Sequence, residues 1–254
     1  MKVHYTHPYI TNPVHKITID LVGLGGTGSQ VLNSLARINV ALLGLNHPGI
    51  HVRAWDADEI TTANMGRQLF SPADVGLNKA LVLVTRVNRF FGFDWQAMTR
   101  NYNGAQTSNI LITCVDTAAA RVQIGTVMGT KAHRSVAPTD QPYYWLDLGN
   151  MQKTGQVIIG TLDTIPQPKT EHKTTRVLPT VIKKFPQLKK LKEEKQGPSC
   201  SLAEALEKQD LFINSTLAQF GCNIIWKLIR EGQLQYQGCY VNLETLSVNP
   251  IKIN

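Results

Sequence analysis

Hydrophobic residues along this chain follow two alternating patterns, short continuous runs and runs with helical spacing. The first continuous run ends at a glycine, and apolar side chains then recur every three or four residues from 29 to 45. Continuous runs of this length indicate buried strands, whereas the longer spacing indicates helices with one apolar face. The pattern predicts strands at 16–22, 50–55, 96–102, 110–115, 143–148 and 156–162, and helices at 29–45, 78–91 and 117–130.

The alternation of strands and helices stops after residue 162. A basic stretch with several prolines follows at 163–198, then helical spacing at 201–231 and a predicted hairpin at 238–253. Strands that alternate with helices are typical of a parallel sheet covered on both faces. The sequence therefore predicts one α/β domain with a Rossmann-like, mostly parallel sheet. Its expected parts are a core at 16–162, a long crossover loop at 163–200, and C-terminal helices with a hairpin at 201–254.

Composition places the chain among globular proteins. Of its 254 residues 43% are hydrophobic and 17% are charged, which argues against a disordered or fibrous chain. No apolar run reaches 18 residues, and the first residues lack the apolar stretch of a secretory signal. The four cysteines form no close pair, so we expect neither a disulfide framework nor a four-cysteine zinc site. Together these features predict a cytoplasmic protein.

Positive charge is concentrated in the crossover. The whole chain carries a formal charge of +8, and residues 163–198 contain far more basic than acidic side chains. Such a segment suits an acidic partner protein, a nucleotide or a nucleic acid, although a solvated linker is an equally good interpretation.

A glycine-rich loop lies between the first strand and the first helix. Gly23, Gly25 and Gly28 have the Gly-x-Gly-x-x-Gly spacing, with Gly26 as an additional glycine. In this setting backbone amides and a helix N-terminus face phosphate, and an acid at the end of the second strand, here Asp56, accepts from ribose hydroxyls. Dinucleotide-binding dehydrogenases use the same loop, and a tight turn without a ligand is a further alternative.

Two basic residues and one more acidic residue help to choose between the possible functions of this loop. Arg67 and Lys79 follow the second strand, and Asp116 ends the strand at 110–115. Hydride transfer has no need of two cations there, whereas phosphoryl or nucleotidyl transfer does, because charge develops on phosphate oxygens. Asp116 could hold Mg²⁺. Taken singly, Arg67 could form a surface ion pair, Lys79 could be solvated, and Asp116 could be a helix N-cap; their joint order favours the functional interpretation.

These residues together resemble the ThiF/MoeB family of adenylating enzymes, the fold shared with ubiquitin-activating enzymes. The resemblance runs in order from about 16 to 125. More narrowly, the whole chain resembles the ThiF-family member of bacterial PRTRC cassettes, which also encode a small ubiquitin-like protein. The motifs that carry it are the glycine loop, Asp56 and Asp58, Asn64, Arg67 and Gln68, Lys79, and Asp116.

The resemblance implies a reaction in which ATP and the C-terminal carboxylate of a ubiquitin-like or sulfur-carrier protein give an acyl-adenylate and pyrophosphate. It implies two-fold dimers and a role for each matching position. Gly23, Gly25, Gly26 and Gly28 would line the nucleotide, with Asp58 and Gln68 beside it; Asp56 would hold the ribose; Asn64, Arg67 and Lys79 would bind phosphates; and Asp116 would hold Mg²⁺.

The chain departs from the family in two respects. It lacks the paired Cys-x-x-Cys zinc ligands of many sulfur-carrier activators, which are structural. Its first arginine is Arg37, inside a predicted helix, so an N-terminal arginine that enters a partner's site is absent or replaced. The candidates for that replacement are Lys2, His15 and Lys16.

Cys200 is the candidate thioester nucleophile. It precedes a Ser-x-x-Glu capping box, and the N-terminus of a helix lowers the pKa of a nearby thiol. The resemblance implies a nucleophilic cysteine in or after the crossover, although a structural role is an open alternative. Cys114, Cys222 and Cys239 are expected in the core.

Three alternatives to ubiquitin-like activation stay open. The chain could be a sulfur-carrier adenylyltransferase without a thioester, a nicotinamide-dependent oxidoreductase, or a non-catalytic nucleotide-binding module whose basic crossover holds DNA or a partner. The leading hypothesis is ATP- and Mg²⁺-dependent activation of a small protein.

Overall fold

A computed structural model describes residues 1–65, 68–129, 137–191 and 209–254. Its main feature is an eight-stranded sheet in the order β10-β9-β7-β6-β5-β2-β3-β4. The strands are β1 (His4–Tyr5), β2 (Ile17–Val22), β3 (Ile50–Trp55), β4 (Gln96–Met98), β5 (Ile110–Thr113), β6 (Tyr144–Asn150), β7 (Thr154–Thr161), β8 (Gln233–Leu234), β9 (Tyr236–Asn242) and β10 (Ser247–Lys252). The helices are α1 (Pro8–Thr11), α2 (Gly26–Gly44), α3 (Lys79–Phe91), α4 (Ala118–Met128), α5 (Val181–Lys184) and α6 (Ile213–Arg230).

Five strands, β6, β5, β2, β3 and β4, form the predicted parallel part of the sheet. All four residues of β5 are buried, which agrees with a strand covered on both faces. Alternate residues enter two separate cores: Ile110 and Ile112 pack with α2, α3 and α6, whereas Leu111 packs with α4 and α5. The parallel strands bring their carboxyl ends to one edge, where Gly23, Asp56 and Asp116 follow them.

The other part of the sheet is antiparallel. Strand β7 pairs with β6 on one side and β9 on the other, and β9 pairs with β10 as the predicted C-terminal hairpin. The mostly parallel Rossmann-like class is therefore confirmed, with an antiparallel extension. Sequence patterning identified the hairpin but not the antiparallel pairing of β7 with β6 and β9, because strand direction is set by connections rather than by the spacing of apolar residues.

The predicted first helix begins earlier than expected. Helix α2 starts at Gly26 rather than at residue 29, because the glycine loop turns directly into the helix. Its apolar face enters the same core as the apolar face of α6, and the two helices pack against each other. The N-terminus of α2 therefore rests against the beginning of α6.

Short elements near the N-terminus were not predicted. Strand β1 pairs with β8, and His4 is fully buried, with Nδ1 2.8 Å from the carbonyl oxygen of Thr175 and Nε2 3.1 Å from the Tyr144 hydroxyl. Two-residue strands carry no periodicity that a sequence pattern could reveal. These contacts tie the chain's first residues to the crossover.

The described part of the crossover is packed and not merely a solvated linker. Ile165, Leu178 and Val181 are each 1% exposed, while most of the basic side chains nearby point to solvent. Residues 192–208, which include the end of the crossover and part of the predicted C-terminal helices, lie outside the described residues. Within the described ranges, no helix has the length and apolar character to cross a membrane.

Candidate active site

The glycine loop makes a tight turn whose close contacts explain two of its glycines. Gly23 has φ of +86°, and its N–H donates to the carbonyl oxygen of Trp55 at 2.9 Å. A Cβ on Gly28 would lie 1.8 Å from the carbonyl oxygen of Gly23, so only glycine fits there. Gly25 occupies the N-cap of α2. Without a capping side chain, the first backbone N–H groups of the helix face the end of the sheet, where an anion is favoured.

Asp56 joins this loop to the next segment of the chain. Its Oδ2 accepts from the Leu24 N–H at 2.6 Å and its Oδ1 from the Asp58 N–H at 2.9 Å. Burial raises the pKa of Asp56, while the two amides and the Lys79 ammonium act in the opposite direction. Asp56 therefore lies beside the glycine loop, at the end of β3, as the sequence predicts.

Lys79 is buried at the start of α3. Asn78 caps that helix, and Lys79 Nζ donates to Asp58 Oδ2 at 2.9 Å, although the lysine is only 8% exposed. The interpretation of Lys79 as a solvated helix residue is therefore wrong. Because Asp58 also donates its N–H to Asp56, this contact places the ammonium near the acid that bonds the glycine loop.

The segment after β3 links Asn64 to Gln68 and brings Gln68 near the glycine loop. Asn64 Oδ1 accepts from the Thr61 N–H at 2.9 Å, and its carbonyl oxygen accepts from the Gln68 N–H at 3.1 Å. The amide nitrogen of Gln68 would be 4.0 Å from a Cβ on Gly25. Its Oε1 is buried and accepts no hydrogen bond within the described chain, so it could serve a ligand. Arg67 lies outside the described residues.

Arg86 contacts the segment that follows Gln68, at residues 69–74. Its guanidinium donates to the carbonyl oxygen of Leu69 at 2.8 Å and pairs with Asp74, which also accepts from the Ser71 N–H. The pKa of Asp74 is lowered: its hydrogen bonds with Ser71 and Arg86 outweigh the opposing effect of burial. The sequence did not mark these two residues, because their importance depends on contact between a loop and a distant helix turn.

Asp116 lies at the end of β5 and lines a groove of about 520 Å³. The N-cap of α4 is Thr117, whose side chain accepts from the Ala120 N–H, so the interpretation of Asp116 as the cap is wrong. The groove continues between the crossover and the antiparallel strands. Its other lining residues include Arg121, Asn150, Gln156, Leu188, Tyr240 and Asn242.

A buried ion pair supports one wall of this groove. Arg121 Nε lies 3.1 Å from both carboxylate oxygens of Asp147, which also accepts from the Thr113 hydroxyl at 2.7 Å. Trp145 Nε1 donates to that hydroxyl at 2.8 Å. No sequence pattern indicates this network, because the four residues are dispersed over two strands and a helix.

Sequence patterning also missed the contact between the first turns of α6 and α2. Asn214, in the first turn of α6, is 3% exposed and accepts from the Thr27 hydroxyl at 2.8 Å. Thr27 belongs to the first turn of α2, so the two helices are linked by polar groups beside the glycine loop.

The donor set at Asp116 is compatible with Mg²⁺ but not with a metal held by protein alone. Within the described residues, no three His, Cys, Asp or Glu side chains come together as a metal cage. Mg²⁺ is commonly held by one or two carboxylates together with substrate phosphates, and exposed Asp116 could supply one carboxylate.

The three described cysteines lie in the core as predicted. Cys114, Cys222 and Cys239 are buried and form no disulfide. Burial raises the pKa of Cys222 to about 12 and that of Cys239 to about 11, and it raises that of Cys114 strongly. None of them is suited to act as a thiolate nucleophile. Cys200 lies outside the described residues.

This arrangement of loop, acids and lysine can be compared with known proteins. The sequence profile of the ThiF family matches residues 11–230. The chain belongs to the ThiF family. The ubiquitin-like modifier-activating enzyme 5 of Drosophila persimilis is 28% identical over 134 residues, which are 45% of this chain and 32% of that protein. The enzyme of the same name from Branchiostoma floridae is 26% identical over 159 residues, 54% of this chain and 34% of that protein.

Solved structures show that this ThiF-family chain shares its fold with proteins of low sequence identity. E. coli MccB with ATP superposes with a TM-score of 0.60 at 15% identity, covering 96% of this chain and 66% of MccB. PaaA superposes with a TM-score of 0.60 at 14% identity, covering 96% and 65%. The predicted ThiF/MoeB-type fold is therefore confirmed. The alignments with the curated relatives above span only about a third of each relative's length.

Proposed function

We propose that this ThiF-family chain is an adenylyltransferase that activates the C-terminal carboxylate of a small ubiquitin-like protein with ATP. A carboxylate oxygen forms a bond to the α-phosphorus, the bond from that phosphorus to the oxygen bridging to the β-phosphate breaks, and pyrophosphate leaves. One observation carries the proposal. Leu24 in the glycine loop, Asp56, Asp58 and Lys79 form a continuous series of contacts at the carboxyl end of β3.

Each member of this series has a role in the reaction. The N-terminus of α2 provides backbone N–H groups for phosphate, and Asp56 provides an acceptor for ribose hydroxyls. Lys79 provides positive charge where phosphate charge builds up in the transition state. An ammonium has three N–H donors, and the contact with Asp58 uses one of them.

The groove at Asp116 is the proposed path of the partner's C-terminal tail. It joins the end of β5 to a wall of amide side chains and to apolar residues of the crossover. An extended tail needs such amides for its backbone and apolar contacts for its side chains. Asp116 would hold Mg²⁺, which neutralises phosphate charge when bound. Positioning the carboxylate and the α-phosphate together would then supply much of the rate enhancement.

The basic side chains of the crossover favour an acidic partner at the mouth of this groove. Lys183, Lys189 and Lys190 are exposed, and Leu188 between them lines the groove. A ubiquitin-like protein, a sulfur carrier or a peptide could each present a free carboxylate there. The solved structures of E. coli MccB include complexes with MccA, so a peptide partner is a specific alternative. For this chain we favour a small ubiquitin-like protein, as in the PRTRC cassettes it resembles.

Transfer of the acyl group to Cys200 is the proposed second step. The thiolate would attack the acyl carbon and release AMP, leaving a thioester. A sulfur-carrier adenylyltransferase would stop at the acyl-adenylate, which is the alternative. Free cysteines in the described core agree with a cytoplasmic location, which stays a prediction.

Pyrophosphate exchange into ATP tests the first step. The chain should be purified with the product of a short neighbouring reading frame, and exchange should depend on that product's free C-terminus. Asp116→Asn should abolish exchange, whereas Asp163→Asn, an exposed aspartate at the start of the crossover, should retain it. Folded protein that gives no exchange but changes NADH fluorescence on titration would favour the oxidoreductase, and salt-dependent DNA retention without exchange would favour the non-catalytic module.

A two-fold dimer is part of the proposal. A cavity of about 610 Å³ between α2 and α3 is lined by Leu32, Leu69, Phe90 and other residues. Phe90 is 82% exposed and Leu69 is 41% exposed. An exposed apolar surface of this kind favours contact with another protein surface. Its position next to Gln68 would bring a second copy close to the glycine loop.

A further inference from the structure

Asn214 connects three parts of the molecule through its side-chain amide. Its Oδ1 accepts from the Thr27 hydroxyl at 2.8 Å and from Asn150 Nδ2 at 3.2 Å. Its Nδ2 donates to Gln209 Oε1 at 2.9 Å. Thr27 belongs to the glycine loop's helix, Asn150 lines the groove beside Asp116, and Gln209 is the first described residue after the crossover.

The same amide also packs against the glycine loop. A Cβ on Gly26 would lie 2.5 Å from Asn214 Nδ2 and 2.7 Å from Asn214 Cγ. Gly26 is the first residue of α2, and both Thr27 and Asn214 are more than nine-tenths buried. A side chain at position 26 would therefore displace the buried amide of Asn214, whether or not a ligand is bound.

We propose that Asn214 is a positioning residue that fixes the first turn of α2 for the nucleotide's phosphates. This inference rests on the proposed function, because it assumes that ATP binds at the glycine loop. Backbone N–H groups stabilise phosphate effectively only when they are held in place before the ligand arrives. In this proposal Asn214 holds that turn by one hydrogen bond and by packing and makes no contact with the ligand.

The contacts of Asp56 allow a positioning role of Asn214 to be distinguished from a purely structural one. Asp56, the proposed ribose partner, is held by Leu24 and Asp58, and these contacts do not involve Asn214. Removing the amide should therefore disturb phosphate binding and leave the nucleoside contacts in place. A general loss of packing would weaken ATP and adenosine binding alike.

The experiment measures ATP and adenosine affinity by displacement of a fluorescent ATP analogue from the full chain. Asn214→Ala should weaken ATP at least about tenfold, which corresponds to one lost hydrogen bond or somewhat more. Adenosine affinity should change less than about twofold on the same scale.

Asn39→Ala is the matched control. Asn39 lies in α2, the helix that Asn214 contacts, and is 4% exposed; its Oδ1 accepts from the Ile50 N–H at 2.8 Å and would lie 2.6 Å from a Cβ on Gly49. It is therefore a buried asparagine with similar contacts at the opposite end of α2. Its replacement should lower the Tm about as much as Asn214→Ala does, with ATP affinity unchanged.

A second pair of variants covers the case in which Asn214→Ala does not fold. Thr27→Val removes the hydroxyl that donates to Asn214, and Thr27→Ser keeps it. ATP affinity should fall in the valine variant and be restored in the serine variant, with adenosine affinity constant in both.

Two results would overturn the inference alone. One is wild-type ATP affinity in folded Asn214→Ala or Thr27→Val, and the other is an equal loss of ATP and adenosine affinity. A folded wild-type chain that does not bind ATP at all would instead overturn the proposed function together with the inference.

Discussion

Lys79 Nζ lies 2.9 Å from Oδ2 of Asp58, and the lysine side chain is 10% exposed whereas the aspartate side chain is 71% exposed. The pair therefore combines a buried stem and cation with a carboxylate that faces solvent. Such a carboxylate can exchange its contact for water when phosphate binds to the ammonium. Lys79 would be preorganised at the loop and still able to bind a ligand.

Replacing Lys79 should abolish the proposed reaction. Lys79→Met keeps the stem length and removes the charge, so pyrophosphate exchange should fall at least about a hundredfold, the scale of one lost transition-state contact. Lys153→Met is the control, because Lys153 makes an exposed pair with Glu244 at the same 2.9 Å distance. Exchange that survives in Lys79→Met would remove this lysine from the mechanism.

Two glycines of the loop should respond differently to alanine. A Cβ on Gly28 would meet backbone 1.8 Å away, so Gly28→Ala should cost more than about 3 kcal/mol of stability. A Cβ on Gly25 would have its nearest neighbour, Gln68 Nε2, at 4.0 Å, and φ of −72° is accessible to alanine. The ψ of −146° at Gly25 is unusual for alanine, so Gly25→Ala should lower the Tm somewhat but less than Gly28→Ala, and it should lose ATP affinity because its Cβ would occupy the space of the nucleotide. Unchanged ATP titrations of Gly25→Ala would place the nucleotide elsewhere.

Adenosine binding should weaken in acid. Burial raises the pKa of Asp56, and only its ionised form is a strong acceptor for ribose hydroxyls. Affinity should be constant near neutral pH and fall as the pH drops towards that raised pKa, while Asp56→Asn should be weak and independent of pH. The folded chain also binds this proton more readily than the unfolded chain, so ionisation of Asp56 costs stability as the pH rises through that pKa. Adenosine is the competing ligand in these displacement measurements, so that protonation of ATP does not contribute to the pH dependence. A wild-type adenosine affinity that does not change with pH would contradict the assignment of Asp56 to the ribose.

Alkylation should separate the cysteines. With iodoacetamide at neutral pH, Cys114, Cys222 and Cys239 should react slowly in the native chain, because burial raises the pKa of each thiol. All four cysteines should react in denaturant. If Cys200 forms the thioester, Cys200→Ala should retain pyrophosphate exchange and lose the thiol-sensitive conjugate, as seen by mass spectrometry. A conjugate that persists in this variant would rule out that role.

The exposed face at Phe90 should control the oligomeric state. Phe90→Glu places a charge at the rim of the apolar cavity, and light scattering should then report a monomer in place of the proposed dimer. Val14→Glu alters another exposed apolar side chain and should leave the dimer intact. A wild-type monomer at micromolar concentration would contradict the proposed dimer.

The sequence predicted much of the site's outline. Strand β3 has the expected bounds, and α3 begins one residue after the predicted start because Asn78 is its cap. The positions of Asp56 and Asp116 followed from the rule that functional side chains come after the carboxyl ends of parallel strands. In contrast, the pairing of Lys79 with Asp58 could not be derived, since apolar spacing gives no information on which acid a lysine meets.

The sequence by itself determined the parallel core and the glycine loop, because these depend on spacing within a few residues. The tertiary structure alone decided the contact of Thr27 with Asn214, which are 187 positions apart, the burial of Lys79, and the antiparallel pairing of β7 with β6 and β9. These features arise when helices and strands from distant parts of the chain pack together. The reason is physical: hydrogen bonds and ion pairs in the core depend on three-dimensional proximity, which local periodicity does not encode.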